Sequence, residues 1–461
     1  MATRLKQRIY RHVHVQLTGC EDMGSLDEEL AKLTSDMVKI DTSVVETEEG
    51  PRGTTRELAN FIVDFLQLQG YTPDLIEFVE GKSNVVLKVG SGRPTLVLAG
   101  HMDVVPPGDR SRWHDDPFSG RIADGKVYGR GATDMKGGLA VILKLASDLG
   151  KVVEDRGAGT LIFAATADEE VGGWNGLGSL VEQGIVAGDA AIIAEPSGIK
   201  NVAIGEKGLC QVKLKVKGVP AHGSTPLLGD NAIVKAFKAI DYMNEVVKAI
   251  NSKIIVPGSL ARVVEDAVDA FLEELRAATP LKKVSVKEVE EVVTKITFSP
   301  NIIKGGEKIN VVPDSCEVYI DMRIPVGFEG KRGRGACETL VDTMKESLSQ
   351  LPPGDGLRDS VDIEIINQSE PNYTDPNSAI VQYISEGVRR VIGVRPRLKI
   401  ETGATDGRYL RRKGVPTAVY GPGEPSLAHA YDEYVRVDDL LVAYRAIRYA
   451  AERFFGLSPG P

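Results

Sequence analysis

The feature that most constrains the fold is a series of short aliphatic runs, each of which ends in polar residues. Four of them lie in the first half of the chain, separated by helical patterns, at residues 84–89, 95–99, 159–165 and 190–194. Runs of strand length that alternate with helices indicate a mostly parallel sheet with helices on both faces. We therefore predict an α/β fold that begins with residues 26–205.

The pattern changes after Gly205. The next strands and helices are expected at residues 209–216, 231–250, 292–303, 315–324, 335–351 and 361–366. Their β-α-β-β-α-β order predicts a small ferredoxin-like domain at residues 206–370. The first pattern resumes over residues 371–461, with a helix at 379–392. We therefore interpret the small domain as an insertion in the larger one.

Two segments lie outside this plan. Residues 1–25 form an N-terminal extension, and the charged stretch at 252–290 is predicted to be extra helical material in the inserted domain. The length of 461 residues is compatible with two domains.

Charge and hydropathy exclude two classes of partner. The net charge is −9, whereas binding to nucleic acid requires clustered basic residues. No apolar run approaches the roughly 20 residues of a membrane span, and none near the N-terminus has the length of a signal peptide. We therefore expect a cytoplasmic protein that contacts neither nucleic acid nor membrane.

The cysteines are widely scattered, at Cys20, Cys210, Cys316 and Cys337. They form neither the close pairs of a zinc knuckle nor a dense disulfide framework. We expect all four to be reduced and structural.

Polar clusters follow three of the aliphatic runs, at residues 100–103, 166–170 and 195–197. In open α/β sheets the ligand crevice lies beyond the carboxyl ends of the strands. In the first cluster, GHMD, His101 and Asp103 face the same way if the strand continues. A carboxylate in that position could orient a metal-binding imidazole. A surface histidine near a solvated aspartate is the alternative.

The glycine-rich segment GRGATDMKGG places Asp134 in a turn that opens a helix, where its carboxylate could bridge two metal ions. An aspartate that caps the helix is the alternative. The segment lacks the GKS or GKT ending of a phosphate loop, which disfavours a nucleotide site.

Three further acids and one histidine complete the candidate set. The segment ATADEEVGG sets Glu169 beside Glu170, and AEPS places Glu195 at the end of the next run. One acid could bind a metal while its neighbour takes a proton from water, and solvated loops are the alternative. His429 lies in EPSLAHAYDEYV. Of the other histidines, His12 and His14 lie in the N-terminal extension and are assigned no role.

The combined donors are two imidazoles and three carboxylates, from His101, Asp134, Glu170, Glu195 and His429. This set suits zinc or cobalt better than calcium, which prefers oxygen alone, and it lacks the cysteines of many closed structural zinc sites. The sequence therefore predicts an open catalytic metal site.

These ordered motifs, over roughly residues 26–455, resemble the dinuclear zinc amidohydrolases, which include succinyl-diaminopimelate desuccinylase, acetylornithine deacetylase, aminoacylase and glutamate-releasing carboxypeptidases. The resemblance implies that His101, Asp134 and Glu195 hold one metal ion. It implies that Asp134, Glu170 and His429 hold the other. Asp103 would orient His101, and Glu169 would be the general base.

The resemblance extends to five residues outside the metal set. His222 in VPAHGSTP is similar to the family's histidine that reaches the active site of the other subunit, which implies a homodimer formed through the inserted domain. Asn310 and Arg323 resemble contacts to a substrate carboxylate, and a guanidinium suits that task. Gly403 and Thr405 resemble contacts in the family's substrate loop.

The segments VVPPGD and TDGRY are most similar to the desuccinylase, which implies N-succinyl-LL-2,6-diaminopimelate as the substrate. Acetylornithine deacetylase and a dipeptidase or carboxypeptidase are the alternatives within the family. A metal-retaining binding protein is disfavoured, because such a protein needs no general base beside the metal ligands.

Overall fold

The computed structural model describes residues 24–45, 47, 50, 52–278, 284–331 and 333–458. The predicted N-terminal extension, with His12, His14 and Cys20, therefore lies almost entirely outside the described residues.

The strands are β1 (Asp74–Glu77), β2 (Ser83–Gly90), β3 (Thr95–His101), β4 (Ile122–Ala123), β5 (Lys126–Tyr128), β6 (Thr160–Thr166), β7 (Ala190–Ile193), β8 (Asn201–Glu206), β9 (Gly208–Lys217), β10 (Ala221–His222), β11 (Thr297–Gly305), β12 (Val311–Val312), β13 (Ser315–Ile324), β14 (Val361–Ser369), β15 (Asn372–Tyr373), β16 (Arg397–Glu401), β17 (Thr417–Val419) and β18 (Tyr434–Arg436). The α-helices are α1 (Leu26–Val38), α2 (Arg56–Leu68), α3 (Gly137–Asp155), α4 (Ser179–Glu182), α5 (Ala232–Asn251), α6 (Ala261–Ala278), α7 (Val286–Thr294), α8 (Ala336–Ser349), α9 (Ala379–Ile392), α10 (Gly407–Arg412) and α11 (Val437–Phe454).

The larger sheet has nine strands in the order β1-β2-β6-β3-β7-β17-β8-β15, with β16 also paired to β8. Its central pairs β6–β3, β3–β7 and β7–β17 are parallel. The pairs β1–β2, β2–β6 and β8–β15 are antiparallel. The prediction of a mainly parallel sheet is confirmed.

Helices cover both faces of this sheet. Side chains alternate along each strand, so successive residues pack against helices on opposite faces. Leu98 of β3 packs in one hydrophobic cluster with Leu143 of α3 and Ile447 of α11. The preceding residue, Val97, belongs to a second cluster with Leu180 of α4. With both faces covered, the edge of the sheet at the carboxyl ends of β3, β6 and β7 is left for polar side chains.

The smaller sheet has four antiparallel strands in the order β11-β13-β9-β14. In chain order these are the second, third, first and fourth strands, which is the ferredoxin-like arrangement. Helices α5 and α8 pack on this sheet through a separate core that contains Met243 and Leu340. The chain passes between the sheets after Glu206 and again between Ser369 and Asn372. The boundaries 26–205, 206–370 and 371–461 stay a prediction.

The predicted strand at 292–303 is wrong at its beginning. Helix α7 extends to Thr294, and β11 begins only at Thr297. A capping box starts this helix, in which Ser285 Oγ accepts from Glu288 N and the Glu288 carboxylate accepts from Ser285 N. The valines of this segment favour strands by propensity, but Val289 and Val293 are one helical turn apart and are buried together.

The expectation that the cysteines are reduced is wrong for two of them. Cys210 on β9 and Cys337 on α8 form a disulfide, which closes a loop across a sequence separation of 127. Cys316 is free and buried. The scattered spacing of the cysteines carries no signal of this pair, because the disulfide joins elements that only the folded inserted domain brings together.

The helical material expected at 252–290 is present as α6 and α7, although residues 279–283 between them lie outside the described residues. Helix α6 packs on β16 of the larger sheet, where Asp266 Oδ2 accepts the N–H of Leu398 at 3.1 Å. Helix α6, which follows α5 of the inserted domain in the chain, therefore packs on the larger sheet. Across the described ranges, no helix combines the length and apolar character needed to cross a bilayer.

Candidate metal centre

His101 is the last residue of β3, and its imidazole is buried at the carboxyl edge of the larger sheet. Its Nδ1 lies 2.9 Å from the main-chain oxygen of Asp103. Its Nε2 lies 3.2 Å from Asp134 Oδ1 and 3.5 Å from Glu195 Oε1. A carbonyl that accepts from Nδ1 leaves Nε2 as the nitrogen that could bind a metal.

Asp134 lies between the two candidate histidines. Its Oδ1 faces His101, and its Oδ2 lies 3.3 Å from Nε2 of His429. The start of α3, just after Asp134, depends on glycine, because a Cβ on Gly138 would lie 1.9 Å from the carbonyl oxygen of Ala194. Glycine thus lets the start of α3 approach the segment that carries Glu195.

His429 and Glu170 form the other side of this cluster. His429 Nε2 lies 3.1 Å from Glu170 Oε2, and the imidazole side chain is 51% exposed. The other four predicted metal ligands therefore lie around Asp134, with His101 and Glu195 on one side and His429 and Glu170 on the other.

The two adjacent acids are held by Asp103. Its carboxylate oxygens accept the main-chain N–H groups of Glu169 and Glu170, each at 3.1 Å. The same carboxylate lies 3.7 Å from Nδ1 of His101. The hydrogen bond of His101 is thus accepted by the main-chain oxygen of Asp103, while the side chain of Asp103 supports the Glu169–Glu170 turn.

Burial and charge act in opposite directions on the histidines and on Asp134. Burial disfavours the charged imidazole of His101, but the negative charges of Glu195 and Asp134 raise its pKa well above the usual range. Hydrogen bonds with Asp134 and Glu170 raise the pKa of His429 to about 10. Burial opposes ionisation of Asp134, but its hydrogen bonds with His101 and His429 hold its pKa below the usual value.

Burial raises the pKa of three other acids of the centre. The pKa of Glu195 rises to about 8 and that of Asp103 to about 7. The pKa of Glu169 is raised well above its usual value by burial and by the charge of Glu195. Burial disfavours the ionised form of these carboxylates, and nearby positive charge favours it.

The donor set fits divalent metal ions. Nitrogen and oxygen atoms of His101, Asp134 and Glu170 lie within 4.8 Å of one another, and so do those of His101, Glu169 and Glu195. A cation among these groups would favour the ionised carboxylates that burial penalises. Imidazole and carboxylate ligands suit zinc or cobalt.

A buried ion pair that the sequence did not reveal links the turn that carries Asp134 to the segment that carries His429. Arg130 pairs with Glu433, and their side chains are 3% and 0% exposed. Glu433 accepts the main-chain N–H groups of Thr133 and Asp134, while Arg130 donates to the main-chain oxygen of His429. Arg130 lies in the segment GRGATD and Glu433 in the segment HAYDEY, but their sequence separation of 303 conceals the contact.

Part of the predicted substrate loop is already hydrogen-bonded to other residues of the chain. Gly403 is exposed, whereas Thr405 is buried. The N–H and the hydroxyl of Thr405 both donate to Glu206 Oε2, at 2.7 and 2.8 Å.

The three candidates in the inserted domain stand apart from the metal cluster. His222 is exposed on β10, and its Nδ1 lies 2.7 Å from Ser224 Oγ. Asn310 is exposed, and Arg323 is paired with Asp321. Among the described residues, none of the three forms a hydrogen bond or ion pair with the five ligand candidates. His114 also lies outside the centre, paired with Asp432.

The sequence matches one known protein family over most of its length. The model of peptidase family M20/M25/M40 matches residues 97–453. The chain therefore belongs to this family and is a metal-dependent hydrolase of amide bonds, as the motifs predict.

Several known proteins are similar to the chain over nearly its whole length. The chain is 29% identical over 436 residues to a protein of Methanocaldococcus jannaschii named an uncharacterized metallohydrolase, covering 90% of this chain and 97% of the relative. It is 27% identical over 422 residues to a probable succinyl-diaminopimelate desuccinylase of Staphylococcus aureus, covering 89% and 94%. An M20 family metallo-carboxypeptidase from Sulfolobus solfataricus shares the fold with a TM-score of 0.70 and 21% identity, covering 93% and 100% of the two chains. A dipeptidase from Saccharomyces cerevisiae does so with a TM-score of 0.66 and 16% identity, covering 95% and 97%.

Proposed function

We propose that the protein hydrolyses the amide bond of an N-acyl amino acid, with N-succinyl-LL-2,6-diaminopimelate as the preferred substrate. The observation that carries the proposal is the position of Asp134 between two imidazoles, with two further carboxylates on opposite sides. The name of the Staphylococcus aureus relative supports the choice of acyl group. Acetylornithine deacetylation is the alternative within the same reaction class, and cleavage of a dipeptide or a carboxy-terminal residue is another.

Two divalent metal ions, zinc or cobalt, are proposed as cofactors. One would be held by His101, Asp134 and Glu195. The other would be held by Asp134, Glu170 and His429. The two oxygens of Asp134 already face different histidines, which supports a bridging role.

The chemistry of the bound ions would be to acidify a water molecule and polarise the scissile carbonyl. Glu169 would take the proton of that water and deliver it to the leaving amine. A raised pKa makes a carboxylate a better proton acceptor, and burial and the charge of Glu195 raise that of Glu169. Asp103 would keep Glu169 separate from the ligand Glu170 by holding the N–H groups of both.

Substrate contacts are proposed in both the inserted domain and the larger domain. Asn310 and Arg323 would bind the substrate carboxylate. Gly403 is free to face a ligand, whereas contact through Thr405 requires that residue to exchange its bonds with Glu206. His222 would polarise the scissile carbonyl of a neighbouring subunit, in keeping with its exposure.

A homodimer through the inserted domain is therefore part of the proposal. Apolar side chains on this domain face outward, with Leu227 97% and Phe237 58% exposed. Strand β11 is an edge strand with mostly exposed residues, so its unpaired main-chain groups could pair with a second copy. A cytoplasmic location is retained as a prediction.

The test combines metal analysis with a substrate panel. The purified chain is expected to bind about two zinc or cobalt ions, and His101→Ala or His429→Ala should lower that number. The metal-loaded protein is then assayed on succinyl-diaminopimelate, acetylornithine and dipeptides. Fastest turnover of another substrate would replace the desuccinylase assignment, and activity that persists after all divalent metal is removed would contradict the proposal.

A further inference from the structure

The Glu169–Glu170 pair lies on a loop, residues 167–175, that is held from two sides. On the side of the metal centre, Asp103 accepts the N–H groups of both acids. On the other side the loop meets residues 82–84, at the start of β2, which the proposed reaction does not use.

Lys82 forms a buried ion pair with the residue immediately before the two acids. Its Nζ lies 2.7 Å from Asp168 Oδ1, and the two side chains are 5% and 2% exposed. Asp168 Oδ2 accepts from Asn175 Nδ2 at 2.9 Å. Asp168 also has a positive φ of 60°, a left-handed conformation that non-glycine residues rarely adopt.

Asn84 holds the two ends of the same loop. Its Oδ1 accepts the N–H of Ala167 at 2.9 Å, and its Nδ2 donates to the main-chain oxygen of Asn175 at 3.0 Å. Within the loop, Asn175 is thus hydrogen-bonded to Asp168. Asn84 of β2 and Lys82, which precedes β2, attach the loop to the start of that strand. Within this set, the Lys82–Asp168 contact alone joins two opposite charges.

We infer that Lys82 is a positioning residue for Glu169 and Glu170, and that it acts through the main chain of Asp168. The inference rests on the proposed function. The peptide that follows Asp168 sets the direction of both acids, so a shift of Asp168 turns the proposed base and the proposed ligand together. Without the Lys82 ammonium, the Asp168 carboxylate would be buried without a countercharge, and the loop would have to move to reach water. A displacement of about 1 Å can lower turnover about 100-fold.

A merely structural ion pair is the competing explanation, and a double substitution separates the two. In Lys82→Met/Asp168→Asn no buried charge is left alone, so folding should be close to that of the parent. Asparagine also tolerates a positive φ. The charge attraction that fixes the loop is nevertheless absent, so the positioning defect should remain in this variant.

The experiment compares Lys82→Met, Lys82→Arg and the double variant with the parent. The matched control is Lys144→Met, which removes a partly buried lysine from its ion pairs with Asp148 on α3 and Glu29 on α1. Four quantities are measured: the midpoint of thermal unfolding, zinc affinity by titration of the metal-stripped chain, and kcat and KM at saturating metal. We expect about 10- to 100-fold weaker zinc binding and a kcat lowered by about 10- to 100-fold in Lys82→Met and in the double variant. KM should change little. Lys82→Arg should recover most of both losses, and the control should match the parent.

The inference is overturned if the double variant unfolds like the parent and also has the parent's kcat and zinc affinity. If Lys82→Met fails to fold, the double variant carries the same comparison. The zinc titration needs no substrate, so a parent that binds zinc but hydrolyses no amide would contradict the proposed function while the role of Lys82 is still decided.

Discussion

The larger sheet and the inserted domain differ in how much of the candidate site each one completes. At the carboxyl edge of the larger sheet, His101 contacts both Asp134 and Glu195. In the inserted domain, His222 and Asn310 are exposed, and their contacts are with other residues of that domain. The candidate metal centre is therefore assembled within one chain. The residues of the inserted domain that are proposed to polarise and bind the substrate do not contact this centre within the same chain.

The two regions also differ in what stabilises them. The metal centre depends on buried charges that oppose or pair with one another, such as Arg130 and Glu433. The inserted domain has its own apolar core and the Cys210–Cys337 disulfide. Substitutions in the first region should therefore alter metal binding or catalysis, and those in the second should alter stability or assembly.

The largest expected effect is that of Glu169→Gln. Loss of a general base lowers turnover by about 10²- to 10⁴-fold, while metal content should stay near that of the parent because Glu169 is proposed not to be a ligand. Steady-state kinetics and elemental analysis of one preparation measure both. Parallel loss of metal and activity would mean that the roles of Glu169 and Glu170 are exchanged.

The next effect concerns His222 in the inserted domain. His222→Ala should lower kcat by about 10²- to 10³-fold, the usual cost of losing an oxyanion donor, without loss of metal. Mixing His222→Ala chains with Glu169→Gln chains should restore up to about a quarter of the parent's sites if subunits exchange. Labelled chains establish the exchange independently. Demonstrated exchange with no recovery of activity would show that His222 does not serve the partner's site.

A smaller effect is expected from the disulfide. Cys210→Ala/Cys337→Ala should lower the free energy of unfolding by about 2 to 4 kcal/mol, measured by denaturant titration, with unchanged metal content. Cys316→Ala is the control for loss of a buried but unpaired thiol. Equal stability of the parent with and without reductant would argue that the pair is not formed in solution.

The smallest effect tests the contact between the two regions. Asp266→Ala removes the acceptor for the N–H of Leu398 and should cost about 1 kcal/mol. Asp269→Ala is the matched control, because it changes an exposed residue on the same helix. Thermal unfolding of the two variants measures the difference. Identical midpoints would mean that α6 contributes to the junction only through apolar packing.

Much of the fold follows from local periodicity. The predicted helix at 379–392 coincides with α9, and the predicted strand at 315–324 coincides with β13. The valine-rich segment near residue 292 was misassigned, because β-branched residues favour strands while the capping box at Ser285 and the shared burial of Val289 and Val293 favour a helix.

The sequence by itself determined the residue types and order of the candidate metal centre. Each polar cluster follows an aliphatic strand, and parallel strands bring their carboxyl ends to the same edge of a sheet. This is why the sequence alone predicts that His101, Glu170 and Glu195 belong to one site. The tertiary structure decided the contacts that join distant segments, namely Arg130–Glu433, Lys82–Asp168 and Cys210–Cys337. No local pattern encodes these pairs, because each one depends on how separate elements pack. The two ion pairs depend in addition on the strong preference of a buried charge for a nearby opposite charge.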